Sequence, residues 1–251
     1  MKCTLNILYT LMLCFGVAGA TMAQNSKAPN FKEGLIKYQI EVDGAPEVSQ
    51  FANSSVIDLY LKGKNSKMDI GIMAGMANFQ FINNKKDNLM TLLMDVPTFY
   101  EKTAIDIDEN SDIFKELSAA KNTNQAPEKE VEIKYFKNKK KRIAKYSCYR
   151  AEVSMGTGTG EKLIVYLTDK LRPEVMPQVD KSLNNLNGFP LGFEIEIEGV
   201  TVKIMATEVL KQAVDSKKFN VPDSYQKKTL DEFKDEIQKK FGGMGGGSTK
   251  L

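Results

Sequence analysis

The chain contains no histidine and no tryptophan. Without histidine there is no Ser-His-Asp or Cys-His catalysis and no His-ligated zinc site. Cysteine is scarce: Cys3 and Cys14 lie near the N-terminus and Cys148 stands far from both. A lone cysteine forms no intrachain disulfide. Cys148 sits in the strand-like stretch Tyr146-Ser147-Cys148-Tyr149 and reads as a small buried hydrophobe, with no base to make it a nucleophile. Neither sign of charge dominates. The 35 basic and 32 acidic residues give a formal charge of +3, which carries no general nucleic-acid signal.

Only one long hydrophobic run is present, from Leu5 to Val17 behind Lys2. It falls short of the about 20 residues a membrane-spanning helix needs. Thr21 and Ala23 then supply the small residues of a cleavage site before Gln24. Charge, short apolar stretch and small-residue exit describe a secretory signal peptide over residues 1–23, with Ala18 and Ala20 offering an earlier cut. A lipoprotein would need lipidation at Cys14, but Leu13 before it and Phe15-Gly16-Val17 after it continue the hydrophobic region. The expectation is an exported protein of the periplasm or cell envelope. Losing Lys2 leaves 34 basic against 32 acidic residues.

Residues 24–241 read as one β-rich domain, with a polar loop at 119–130 and a Gly-rich tail at 242–251. Gly34 to Val42 alternates Ile36, Tyr38, Ile40 and Val42 against Lys37, Gln39 and Glu41, and only a strand puts such a series on opposite faces. The same pattern marks Val56–Lys62, Lys67–Ile72, Ala77–Ile82 and Leu89–Asp95, joined by short polar turns such as Gly63-Lys64-Asn65. It resumes at Glu130–Phe136, in a long irregular strand Arg142–Met155, and at Glu161–Thr168, Gly192–Glu198 and Val200–Val209. Helices are expected at Ser111–Ala120, at Asp180–Leu186 and over Leu230–Phe241. In the last, Leu230, Phe233, Ile237 and Phe241 share a face and Thr229 with Glu232 forms a capping box. About ten strands with so little helix exclude a parallel α/β fold. A sheet of that size curls or closes. The expected fold is therefore mainly β: a strongly curved antiparallel sheet or half-open β-barrel, with helices across its mouth.

Several short segments occur in one order along most of the chain. They are Phe31-Lys32-Glu33-Gly34-Leu35-Ile36-Lys37-Tyr38, Tyr60-Leu61-Lys62-Gly63-Lys64, Arg142-Ile143-Ala144-Lys145-Tyr146-Ser147-Cys148-Tyr149, Gly188-Phe189-Pro190-Leu191 and Phe219-Asn220-Val221-Pro222-Asp223-Ser224-Tyr225. On these residues the chain resembles an exported Bacteroidetes family, domain of unknown function 4412. Members of that family usually carry glycine where Lys145 stands, so the turn there departs from the pattern. The family is similar in fold to the lipoprotein carriers LolA and LolB. The resemblance implies a helical lid over an apolar cavity for acyl chains, and it brings no catalytic residues.

The remaining motifs are weak. Asp106-Ile107-Asp108-Glu109-Asn110-Ser111-Asp112 spaces oxygen ligands as a calcium loop does, but Ser111 replaces the glycine and position twelve is Leu117. A capped acidic helix start explains the same residues. Gly156-Thr157-Gly158-Thr159-Gly160 lacks the spacing of a dinucleotide fingerprint and reads as a hairpin loop. Glu194, Glu196 and Glu198 line one strand face, where solvent explains them better than a sugar cleft. Lys137-Asn138-Lys139-Lys140-Lys141-Arg142 reads as a solvated turn between two strands. Its functional alternative is contact of Lys139, Lys140, Lys141 and Arg142 with an anionic membrane surface or surface glycans. Met68, Met73, Met76, Met90 and Met94 fall on neighbouring strands with Phe79 and Phe81, a set that fills a core or lines an adaptable apolar pocket.

These readings converge on an exported non-enzymatic protein that needs no cofactor or metal and binds a lipid, an acyl chain or an acylated protein. Leu59, Met68, Phe79, Phe81, Met90, Phe193 and Ile195 are the expected lining residues. The alternative is a solid-cored envelope domain that contacts other proteins. An enzyme would have to run on Lys, Tyr or carboxylate chemistry.

Overall fold

Pairing follows the alternation. Strand β1 (Glu33–Asp43) buries Ile36, Tyr38, Ile40 and Val42 and leaves Gln39 and Glu41 exposed. In the computed structural model, which describes residues 29–84, 89–97, 101–107, 132–154, 162–175, 186–197 and 199–241, β1 lies at the middle of one large curved sheet. On one side of it a meander steps outward through β2 (Val56–Lys62), β3 (Asn65–Ile72), β4 (Ala77–Asn84), β5 (Leu89–Asp95) and β6 (Thr103–Ile107). On the other side lie β11 (Val200–Leu210), β10 (Phe189–Ile197), β9 (Lys162–Thr168), β8 (Tyr146–Ser154) and β7 (Ile133–Ile143). All of these pairs are antiparallel. A short strand β12 (Gln226–Lys228) adds to β6 in parallel, so β12 and β7 are the outer strands of a twelve-stranded sheet that does not close.

Register carries one apolar face across the whole sheet. Ile36 faces Leu59, Leu59 faces Met68, Met68 faces Phe81, Phe81 faces Leu92 and Leu92 faces Ile105. The row beside it runs Tyr38, Ile57, Ile70, Phe79 and Met94. Beyond β11 the same face continues through Phe193 and Val165 to Ala151, and through Ile195 and Leu163 to Val153. A one-residue slip anywhere would turn these residues into solvent, which is why alternation fixes the register so firmly. Loop residues Phe31, Leu171 and Leu186 pack onto this face and complete its main cluster. Phe31 also explains Gly34: a Cβ there would lie 2.3 Å from the Leu210 carbonyl oxygen and 2.5 Å from Phe31 Cζ.

The C-terminal segment treats the β4–β6 end differently. There the outer face is apolar too, and Ile82, Leu93 and Ala104 are covered by Val214 and Phe219. Lys62 Nζ donates to the Val214 carbonyl at 2.6 Å and helps pin this strap. The chain then rounds the edge as β12 and returns on the inner face as helix α2 (Leu230–Phe241). Leu230 and Phe233 of α2 pack on Met90, Met94, Ile105 and Ile107. Its capping box is present: Thr229 N donates to Glu232 Oε2 at 2.7 Å, and Glu232 N donates to Thr229 Oγ1 at 3.2 Å. A short helix α1 (Pro46–Ala52) links β1 to β2, with Pro46 opening it where a missing N–H costs nothing.

Three expectations need correction. The basic run is no turn between strands: Lys137 to Arg142 lie within β7, which extends to Ile143. The long strand Arg142–Met155 is divided by a hairpin turn at Ala144-Lys145, whose flanking residues Ile143 and Tyr146 pair directly. The sheet has twelve strands where ten were expected, because β6 and β12 gave no clean alternation. The proposed leader, the helices expected at Ser111–Ala120 and Asp180–Leu186 (apart from Leu186 itself), the glycine loop and the Gly-rich tail lie outside the described residues.

Candidate functional site

The seven residues expected to line a pocket all belong to the inner face. Leu59, Met68 and Phe81 are direct cross-strand neighbours, with Phe79 one row to one side and Met90, on β5, one row to the other. Phe193 and Ile195 sit on β10, separated from β2 by β1 and β11. Five of the seven, Leu59, Met68, Met90, Phe193 and Ile195, are buried at 6% exposure or less. They form the floor. Phe79 and Phe81 differ, because both remain half-buried, as does Leu92 opposite Phe81.

That trio occupies a seam. One cluster on the inner face is sealed by Phe31, Leu171 and Leu186; the other, at Met90, Met94, Ile105 and Ile107, is covered by α2. Phe79 and Phe81 pack against both clusters, with Met68 and Ile70 beside them on β3 and Met94 and Leu92 on β5. Two aromatic rings and an aliphatic chain therefore stand partly exposed, flanked by buried thioethers, between two differently covered halves. The sequence pointed to these residues through the Met and Phe grouping. It did not point to Leu92, and it marked Leu230 and Phe233 only as the apolar face of a helix, since an ordinary apolar residue announces a core position and nothing more.

Little at the inner face is polar. The Tyr38 hydroxyl donates to the Pro190 carbonyl at 3.0 Å, and burial holds its pKa well above the usual tyrosine range. Burial likewise pushes the Cys148 thiol up to about 11, which leaves it a neutral core group. Among the described residues no group of three or more His, Cys, Asp or Glu side chains is placed to hold a metal ion. Asp106 lies on β6, where its carboxylate accepts from Thr91 Oγ1 at 2.6 Å; the rest of the calcium-like motif beyond Ile107 lies outside the described residues. Glu194 accepts from the Tyr166 hydroxyl at 3.3 Å on the outer face, Glu196 is exposed, and Glu198 is outside the described residues.

Lys139, Lys140, Lys141 and Arg142 stand far from this seam, on the sheet's other edge, and all four are exposed. Lys139 Nζ lies 5.2 Å from the Phe136 ring centroid and Lys141 Nζ lies 4.9 Å from that of Tyr166.

No protein-family model matches the chain, and no curated protein does. Among solved structures it is similar to the Mycobacterium tuberculosis lipoprotein LppX, at 8% identity over 74% of this chain and 90% of that one, with a TM-score of 0.33. It is similar to the Pseudomonas aeruginosa MucA/MucB complex at 10% identity, covering 77% of this chain and 57% of that one, with a TM-score of 0.40. A DUF1329 family protein from Desulfovibrio piger gives 11% identity, 76% and 90% coverage and a TM-score of 0.33. Likeness at that level leaves the reading of this chain to its own residues.

Proposed function

We propose that the protein is a non-enzymatic binder of an apolar chain, such as the acyl group of a lipid or of an acylated protein, acting in the cell envelope after export. The seam at Phe79, Phe81 and Leu92 carries this reading. These are large apolar residues of the β4–β5 inner face that stay partly open while Met68, Ile70, Met90 and Met94 around them are buried. Opening α2, held there through Leu230 and Phe233, away from Met90, Met94, Ile105 and Ile107 would extend the open strip toward the β6 edge. Thioether and aromatic walls tolerate varied apolar shapes, which suits an acyl chain of no fixed conformation.

The absence of tryptophan makes the test direct. Phe81→Trp places a sole tryptophan in the seam, and Tyr60→Trp places one on the outer face. Titration with a fatty acid brominated along its chain should quench the first saturably, at sub-millimolar concentration, and spare the second. Equal quenching of both variants, or none of either, would remove the carrier reading.

A further inference from the structure

We propose that strand β7 is an electrostatic docking edge for an anionic lipid surface, a role independent of the apolar seam. Lys137, Lys139, Lys140, Lys141 and Arg142 lie within six consecutive residues, and every one is exposed. At about 3.3 Å per residue the run spans roughly 20 Å. Some other lysines find carboxylates: Lys37 meets Glu208, Lys102 meets Asp95 and Lys203 meets Asp43. No ion pair among the described residues reaches any of the five. Their nearest described partners are aromatic, with Lys139 over Phe136 and Lys141 over Tyr166, contacts that position an ammonium without neutralising it. Five cations are thus gathered along one edge strand of the sheet.

The geometry of that edge selects the partner. A lysine-rich edge strand discourages pairing with further strands. The ladder is also interrupted: Phe136 pairs with Arg150 and Lys140 with the next residue, Tyr149, so Lys137, Asn138 and Lys139 stand outside it. A strand added alongside would need evenly spaced backbone donors and acceptors, which this bulge denies. A charged lipid surface needs no register. It needs several unneutralised cations along an exposed edge, each strengthening attachment additively. Tyr135, exposed two residues before the run, adds an amphipathic ring of the kind found at lipid headgroup level.

The experiment is cosedimentation of the exported chain, from Gln24 onward, with large unilamellar vesicles, of phosphatidylcholine alone or with phosphatidylglycerol mixed in. Binding is expected to the anionic vesicles only, and to fall away as salt rises from about 0.1 M toward 1 M. Lys139→Gln, Lys140→Gln and Lys141→Gln combined should weaken it about a hundredfold. A variant that keeps its circular dichroism and binds as tightly as the native chain overturns the proposal, as does equal native binding to neutral vesicles. The salt dependence of the native chain decides the matter even if the triple variant fails to fold. Retention on a polysulfated sugar matrix, or binding of an acidic peptide, with no vesicle binding would also overturn the lipid assignment.

Discussion

Tyr38 on β1 reaches past β11 to bond the backbone of β10: its hydroxyl donates to the Pro190 carbonyl at 3.0 Å in a buried setting. The β9–β10 register shifts between Pro190 and Gly192, a bulge that begins at this residue. One side chain thus repairs a break in the sheet two strands away. Tyr38→Phe should leave the carbonyl buried without this donor and cost about 1–2 kcal/mol, read as a lowered urea midpoint at unchanged slope. A variant as stable as the native chain would show that the bond contributes nothing.

Stability should decline in alkali, because burial raises the pKa of several groups above their unfolded values. Tyr60 and Tyr149 are pushed up to about 12 and Cys148 to about 11, all chiefly by desolvation, and Tyr38 is pushed in the same direction. A group whose folded pKa is raised keeps its full contribution below its unfolded pKa and loses it above. The loss should therefore begin near pH about 8.5 through Cys148 and steepen beyond about 10 as the tyrosines join. Thermal melts from neutral to strongly alkaline pH should show this fall. Phenolate absorbance should lag behind that of free tyrosine until unfolding. Complete ionisation with a midpoint near 10 in a still-folded protein would contradict it.

The β7–β8 hairpin turns through two residues with left-handed backbones, Ala144 at φ 46° and Lys145 at φ 73°. Two-residue hairpin loops of this kind favour glycine, because a Cβ crowds the left-handed conformation. Relief of about 1 kcal/mol of backbone strain is partly offset by the greater freedom of glycine in the unfolded chain. Lys145→Gly should stabilise the fold by about 0.5 kcal/mol, measured by chemical denaturation. A destabilised variant would mean that Lys145 contributes more through its side chain than its backbone costs.

That turn also shows where sequence reading failed. Ala144-Lys145 carries none of the usual turn residues, so β7 and β8 read as a basic turn followed by one long strand. Strands β2 and β5 read correctly to the residue because polar turn residues mark one end of each, Gly63-Lys64 after β2 and Lys85-Lys86-Asp87 before β5. Helix α2 was legible for a local reason as well: its capping box and its apolar spacing are complete within Thr229–Phe241. Strand β12 was invisible, since three residues paired to β6 carry no period at all. The strap at Val214 and Phe219 was hidden likewise, because it exists only where Ile82, Leu93 and Ala104 make the outer face apolar.

The amino-acid order alone determined what is periodic: which residues face inward, that the sheet is largely antiparallel, and that histidine-based chemistry is excluded. These follow from side-chain direction and side-chain type, which are properties of adjacent residues. Only the tertiary structure decided which strands lie beside one another across β1 and β11, which end of the sheet is covered on both faces, and why Phe79, Phe81 and Leu92 stay partly open. Burial there is set by segments far apart in the chain that compete for the same surface, and no local pattern encodes the outcome.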